Sequence, residues 1–304
     1  MLLVAVAASA PNTVLLNNGV VMPSIAFAAS TWPAEICYNA TLTALRSGFR
    51  FIWSSALVGK DCQDSQATAI AVSGVPRSSI FIAGTVDTQR CTSEKECHNQ
   101  TLAGGLEQMS GPLGTAAWPD GIDMLMLDFP SAAGCEGIAG QWSALSELYF
   151  AHSPTLAPRS IAVSNFGQQE LACLFPPFSS PATPSAIVPP VVNQLSFSVG
   201  HGSTAAVGAN GAHGILVQAY SPLGGGRLVH DPLLQQIGAA HGKSAAQVAL
   251  RWIIQHNATV ATQSTNAAHL KEDLSIFDFS LTPSEMATLD AHAAPRHASQ
   301  ARVG

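Results

Sequence analysis

Eight β/α units closing into a (β/α)8 (TIM) barrel, fronted by a β-hairpin, is the fold class this sequence predicts. Three observations carry it: eight apolar runs of strand length recur along the 304 residues, amphipathic helical patterns lie between them, and a turn signal precedes the first run. Strands nearly continuous in apolar residues belong to a parallel sheet covered on both faces. Eight such units in one chain close naturally into a barrel. Periodicity by itself leaves a doubly wound open sheet as the alternative.

The hairpin is read from Leu15 to Met22, with Asn18-Gly19 supplying positive φ angles at its turn. The strand runs are Ser24–Phe27, Phe49–Trp53, Ile80–Ala83, Ile122–Leu127, Ile161–Val163, Val191–Leu195, Ile215–Ala219 and Thr259–Thr262. Helical spacing puts Ile36, Ala40, Leu42 and Leu45 on one face of Ala34–Ser47. Trp142–Phe150 carries Leu145, Leu148 and Tyr149, and Ser244–Gln255 carries Val248, Ala249, Trp252 and Ile253 behind a Ser244 cap. Two stretches break the rhythm, the turn-rich Gly111–Gly121 and the proline-rich Phe175–Pro190. The β/α alternation resumes after each, so residues 13–304 form one domain and residues 1–12 a targeting remnant or tail.

Charged residues make up 11% of the chain, and 13 Lys+Arg stand against 19 Asp+Glu for a formal net charge of −6. Nothing there offsets phosphate charge, which excludes a nucleic-acid binder acting through a basic face. At 47% hydrophobic, the chain is not a disordered one. Apart from the Ala-rich N-terminus, the apolar runs are strand-sized, so no integral membrane protein is expected. So low a charge also suits a protein that buries part of its outside against protein partners in a larger assembly.

Three features point to a secretory or luminal route, with a cytoplasmic or organellar place as the alternative. Met1 to Ala10 is a short apolar run, Asn-x-Thr sequons stand at Asn39, Asn99 and Asn257, and the six cysteines form an even set. No C-x-x-C occurs, and His98, His201, His213 and His230 lack ligand spacing, so no metal site is expected. Cys62, Cys91, Cys97 and Cys135 fall near the loops after the second to fourth strands. Disulfides among them would tie those loops; free thiols remain the alternative.

Seven strings stand in order: LNNGVVMP (Leu16–Pro23), GFRFI (Gly48–Ile52), VPRSSIFI (Val75–Ile82), AVSNF (Ala162–Phe166), VNQLSF (Val192–Phe197), AYSPLGGG (Ala219–Gly226) and GKSAAQVALRWIIQ (Gly242–Gln255). Together they resemble the aldo-keto reductase family from about residue 13 to residue 292. The resemblance implies a (β/α)8 barrel, NAD(P)H across its C-terminal mouth, and reduction of aldehydes or ketones. It also implies a catalytic tetrad: a Tyr that protonates the forming alkoxide, a Lys held by an Asp that lowers the Tyr pKa, and a His that orients the carbonyl.

On this sequence the four positions read Trp53 for the Asp, Val58 for the Tyr, Thr85 for the Lys and Asp128 for the His. Valine has no proton to give and threonine no charge, while an ionised Asp128 opposes a developing oxyanion. Trp53, Val58 and Thr85 are expected to plug the mouth; a slipped register would bring in Lys60 or Asp61 instead.

The cofactor groove matches better. The resemblance assigns the nicotinamide carboxamide to Ser164, Asn165 and Gln194, the stacking ring to Tyr220, and the pyrophosphate loop to the segment holding Ser221 and Leu223. Ser264 and Glu272 match at the adenosine end, where Gln263 and His269 replace the Lys and Arg that clamp a 2′-phosphate and Asp273 replaces an Asn. A phosphate dianion favours bidentate, charge-assisted donors. The cofactor expectation is therefore weak binding of NAD(H) or NADP(H), leaning to NAD(H), or none. Three readings follow: a pseudoenzyme with a structural, scaffolding or nucleotide-binding role, a carbonyl oxidoreductase with a non-standard acid, and a non-redox enzyme using Asp128.

Overall fold

The computed structural model describes residues 12–111, 121–151, 157–175 and 188–292. Eight parallel strands, β3 (Ile25–Ala28), β4 (Phe51–Ser54), β5 (Phe81–Val86), β6 (Met124–Leu127), β7 (Ser160–Ser164), β8 (Val192–Ser196), β9 (Leu216–Tyr220) and β10 (Thr259–Thr262), follow one another round a closed barrel in which β10 pairs β3. Closure removes the open-sheet alternative. Each strand run anticipated from the sequence lies on one of these strands. The helices are α1 (Ala34–Ser47), α2 (Lys60–Val72), α3 (Glu94–Ser110), α4 (Gly134–Tyr149), α5 (Gln168–Ala172), α6 (Thr204–Ala212), α7 (Pro232–His241), α8 (Ala245–Gln255), α9 (Ala267–Leu274) and α10 (Pro283–Asp290). Met1 to Ala10 and most of Gly111–Gly121 and Phe175–Pro190 lie outside the described residues.

The hairpin β1 (Thr13–Leu15) and β2 (Val21–Pro23) closes the N-terminal end of the barrel. Leu16 and Met22 join Phe51, Phe81, Met124 and Met126 in the barrel interior. Its turn differs from the expected one. Gly19 alone has a positive φ, 84°, and bonds from Gly19 N to Leu16 O and from Leu16 N to Val20 O make a wider loop. Asn18 is thereby freed to donate to Arg159 O and Ser160 Oγ, which fastens the hairpin to β7.

Two helices depart from the sequence reading. On α1, Cys37 is buried while Ile36 points outward at 40% exposure. The α4 helix begins eight residues before Trp142, because Gly137 and Gly140 in its first turns weaken helical periodicity yet let it approach its neighbours. A Cβ at Gly140 would run into the backbone carbonyl of Glu94, where α3 starts. Gly140→Ala is expected to cost about 1–3 kcal/mol by overpacking, read as a lower urea midpoint. A midpoint equal to the parent's would show that α3 and α4 can part freely.

All six cysteines are paired, as Cys37–Cys62, Cys91–Cys97 and Cys135–Cys173. Only Cys91–Cys97 joins two of the four mouth cysteines. Cys62 and Cys135 instead reach Cys37 on α1 and Cys173 after α5, because each helix lies beside the next around the barrel.

Candidate functional site

Side chains at the C-terminal ends of the strands line a cavity of about 580 Å³. Trp53, Asp128, Ser164, Asn165, Gln194, Tyr220, Ser221 and Leu223 all reach its wall, so the sequence brought most of the predicted site to one place. Thr85 lies just beneath, fully buried. Ser264 and Glu272 stand apart, one half-buried and one exposed, off the cavity wall. Lys60 pairs with Asp64 on the surface of α2, and neither it nor Asp61 lines the cavity.

Val58 requires a correction. It lies in the 3-10 turn Ala56–Val58 and packs against the patch formed by Ala29, Cys37 and Cys62. Leu57, one residue earlier and 54% exposed, is what the turn presents to the cavity. Thr85 is packed beneath the cavity with its hydroxyl engaged with Asp128.

Asp128 follows β6 directly and is 4% exposed. Its Oδ2 accepts from Thr85 Oγ1 at 2.6 Å and from Ser55 Oγ at 3.0 Å. Each hydroxyl is itself an acceptor, Thr85 Oγ1 from Ala56 N at 2.9 Å and Ser55 Oγ from Leu57 N at 3.0 Å. Thr85 Oγ1 also donates toward Ser55 Oγ at 3.2 Å, so the two hydroxyls and Asp128 Oδ2 form one closed triangle of donors and acceptors. Burial pushes the Asp128 carboxyl up to about 6, the two hydroxyls hold it back, and the charge of Asp87 adds a smaller upward push.

Ser55 was not foreseen. It caps the turn Ala56–Val58, and a serine after a strand reads as an ordinary turn residue. The signal available was Asp128 itself, since an acid at a strand end in an apolar barrel requires hydroxyl or amide partners.

The opposite wall is built on Asn165 and Ser221, two of three described non-glycine residues with positive φ, at 63° and 51°. Such strain persists where surrounding bonds over-determine it. Asn165 Nδ2 donates to Asp128 O at 2.8 Å and Ser164 Oγ at 3.1 Å, while Asn165 Oδ1 accepts from Tyr220 OH at 3.0 Å. Ser164 Oγ donates to Gln194 O, and Gln194 Nε2 to Gln218 Oε1 at 2.7 Å. The cluster that the resemblance assigns to a carboxamide is largely satisfied from within.

Two features remain open to a ligand. The buried Trp53 Nε1 donor has no hydrogen-bond partner. Gly225 and Gly226, with φ of 68° and 88°, leave open space where a Cβ would stand. At the far end Gln263 lines the cavity and His269 is exposed on α9. Asp273 is buried and accepts from Thr262 Oγ1 at 3.0 Å; burial pushes its carboxyl up to about 6. Among the described residues no cluster of His, Cys, Asp or Glu could hold a metal ion, and no helix is long and apolar enough to cross a membrane.

Comparison with known proteins agrees with this geometry. An aldo-keto reductase of Mycolicibacterium vanbaalenii is 31% identical over 285 residues, covering 93% of this chain and 92% of that one. Morphine 6-dehydrogenase of Pseudomonas putida is 29% identical over 291 residues, covering 90% and 89%. Among solved structures, an aldo/keto reductase from Brucella melitensis superposes with a TM-score of 0.76 at 28% identity, covering 91% of this chain and 98% of that one. An aldo-keto reductase from a deep-sea metagenome library, at 24% identity, shares the fold with a TM-score of 0.79, covering 94% and 96%. The family model described as "Aldo/keto reductase family" matches residues 38–294, and the chain belongs to that family.

Proposed function

We propose that this chain is a ligand-binding pseudoenzyme of the family: a barrel that admits a nicotinamide dinucleotide at its mouth without reducing carbonyls at an enzymatic rate. One observation carries the reading. At the positions that the resemblance assigns to the proton donor, the cation and the carbonyl-orienting His stand Val58, Thr85 and Asp128; Thr85 and Asp128 are closed into a network with Ser55, and Leu57 rather than Val58 lines the cavity. A bound dinucleotide supplies hydride, but the alkoxide that hydride leaves must be protonated as it forms. Loss of a general acid costs about 10²–10⁴ in rate, and loss of an oxyanion donor about 10²–10³.

Nicotinamide dinucleotide fits the site in part. Trp53, whose Nε1 is buried without a partner, and Gln194 line the cavity, and Gly225 and Gly226 admit a pyrophosphate closely. Each new bond to Asn165 or Ser164 would replace an internal one, so the net gain per bond is small. Gln263 and His269 give a 2′-phosphate no fixed bidentate charge, which supports NAD(H) over NADP(H). Of the exposed large apolar residues, Leu15 and Val21 are cross-strand partners on the hairpin, Leu57 lines the cavity, and Ile36, Val72, Leu106 and Phe150 lie on or beside four different helices.

Titration of NADH and NADPH against Trp fluorescence, followed by a panel of aldehydes, tests this. Saturable quenching with NADH bound no more weakly than NADPH is expected, with turnover below about 10⁻³ s⁻¹ against the 1–10³ s⁻¹ usual for enzymes. Carbonyl reduction near 1 s⁻¹ at pH 7 would remove the reading.

Asp128 favours a second reading. A carboxyl at the cavity wall that burial raises to about 6 is a candidate acid for carbonyl reduction or for a non-redox step such as dehydration. Its signature would be turnover that rises as pH falls through about 6 and that vanishes in Asp128→Asn.

A further inference from the structure

We propose that Asn39, Asn99 and Asn257 are N-glycosylation sites and that this barrel folds in an oxidising, luminal or extracellular compartment. The three sequons are Asn39-Ala40-Thr41, Asn99-Gln100-Thr101 and Asn257-Ala258-Thr259. Two independent features of the fold support the assignment.

The first is what the asparagine side chains do. Asn17, Asn18, Asn165, Asn193, Asn210 and Asn266 each use the side-chain amide to hold a backbone or side-chain partner. Asn39, Asn99 and Asn257 are exposed and hold none; among the described asparagines only Asn12, which is in no sequon, shares this. The three lie on the outer faces of α1 and α3 and in the turn after α8, where Asn257 borders the groove between the hairpin and α6, and none lines the cavity at the barrel mouth. A glycan on any of them displaces no side-chain bond of the fold.

The second is the cysteine set. All six are joined in three disulfides, which persist in oxidising compartments and are rare in reducing ones. The compartments that oxidise thiols during folding are also those in which Asn-x-Thr acceptors are read.

The hydroxyls of the sequons fix the order of events. Thr41, Thr101 and Thr259 are 0%, 0% and 1% exposed in the folded chain. Thr101 Oγ1 is bonded to Thr88 Oγ1, and Thr259 Oγ1 donates to Val217 O. A transferase that reads the hydroxyl must act before the barrel closes. In the step itself, the Asn Nδ2 forms a bond to the anomeric carbon of an oligosaccharide carried on a polyprenyl diphosphate. The bond from that carbon to the diphosphate oxygen breaks, polyprenyl diphosphate leaves, and the amide gives up one proton to a base. No oxidation or reduction is involved.

The test uses the full chain recovered from its own organism without reductant. Peptide N-glycosidase in ¹⁸O-water converts each occupied Asn to ¹⁸O-labelled Asp, read by peptide mass spectrometry. Label at Asn39, Asn99 and Asn257 is the expected result. A peptide recovered only with unmodified Asn overturns the assignment of that site, and all three unmodified overturn the proposal. In the same host, the Asn39→Gln/Asn99→Gln/Asn257→Gln variant should migrate with the enzymatically deglycosylated parent, and the untreated parent above it. Equal migration of the variant and the untreated parent overturns the proposal as well.

Discussion

Reduction of the three disulfides is expected to lower the melting temperature by roughly 10–15 °C. The cross-links close sequence separations of 25, 6 and 38 residues. By the chain-entropy account these are worth about 3.5, 2 and 4 kcal/mol, together a large part of the 5–15 kcal/mol by which native domains are stable. Cys37 and Cys62 tie the start of α1 to the start of α2, and Cys91–Cys97 closes the approach to α3. Cys135, at the start of α4, is joined to Cys173 just past α5. Helices that follow barrel strands begin at the strands' C-terminal ends, so these staples sit on the mouth side. Loosening should show there first. Calorimetry with and without dithiothreitol, with a thiol count to confirm full reduction, is the measurement. Melts within a few degrees of each other after six thiols have been released would mean that core packing, not cross-linking, sets the stability.

Most of the barrel was legible because a buried parallel strand must be apolar nearly throughout, and runs such as Ile122–Leu127 have no other reading at that length. What escaped was written in glycine. The start of α4 carries Gly134, Gly137 and Gly140, and α3 carries Gly104 and Gly105; these residues blur helical periodicity, while Gly140 against Glu94 and Gly105 against Leu148 permit the close α3–α4 approach. At the site, Ser164, Asn165, Gln194 and Tyr220 were recognisable as a set. That they would bond chiefly to one another was not, since it depends on strand ends meeting around a closed barrel. Leu57 rather than Val58 faces the cavity for a related reason: a 3-10 turn repeats every three residues, and its phase is set by the Ser55 cap, not by the string. The bond between Thr85 and Asp128 joins residues 43 apart in sequence and could be seen only in three dimensions. The pairing of Cys37 with Cys62 follows from α1 lying beside α2, which the spacing of cysteines does not encode.

Asp128→Asn is expected to stabilise the folded barrel by on the order of 2–3 kcal/mol at pH 8 and by almost nothing below pH 4. The carboxyl is raised from 3.8 to about 6, chiefly by burial, and each pKa unit corresponds to about 1.4 kcal/mol. The folded state holds the Asp128 proton more tightly than the unfolded state does. Between pH 3.8 and about 6, therefore, stability falls as pH rises, and above about 6 the full cost of the buried charge is present. An asparagine keeps the geometry, because its Oδ1 can stand where Oδ2 does and accept from Thr85 and Ser55. Its amide then faces the cavity. Asp273 is raised to a similar value beneath Thr262, so Asp273→Asn should repeat the pattern at a separate site and serve as its control. Urea unfolding of the parent and both variants from pH 4 to pH 8 gives the comparison directly. A difference between Asp128→Asn and the parent that stayed constant across that range would show that Asp128 is ionised throughout. It would then have no proton to offer in the cavity, and the second functional reading would fall with it. A difference that opens between pH 4 and 6 would place a neutral carboxylic acid at the mouth of this barrel under mildly acidic conditions.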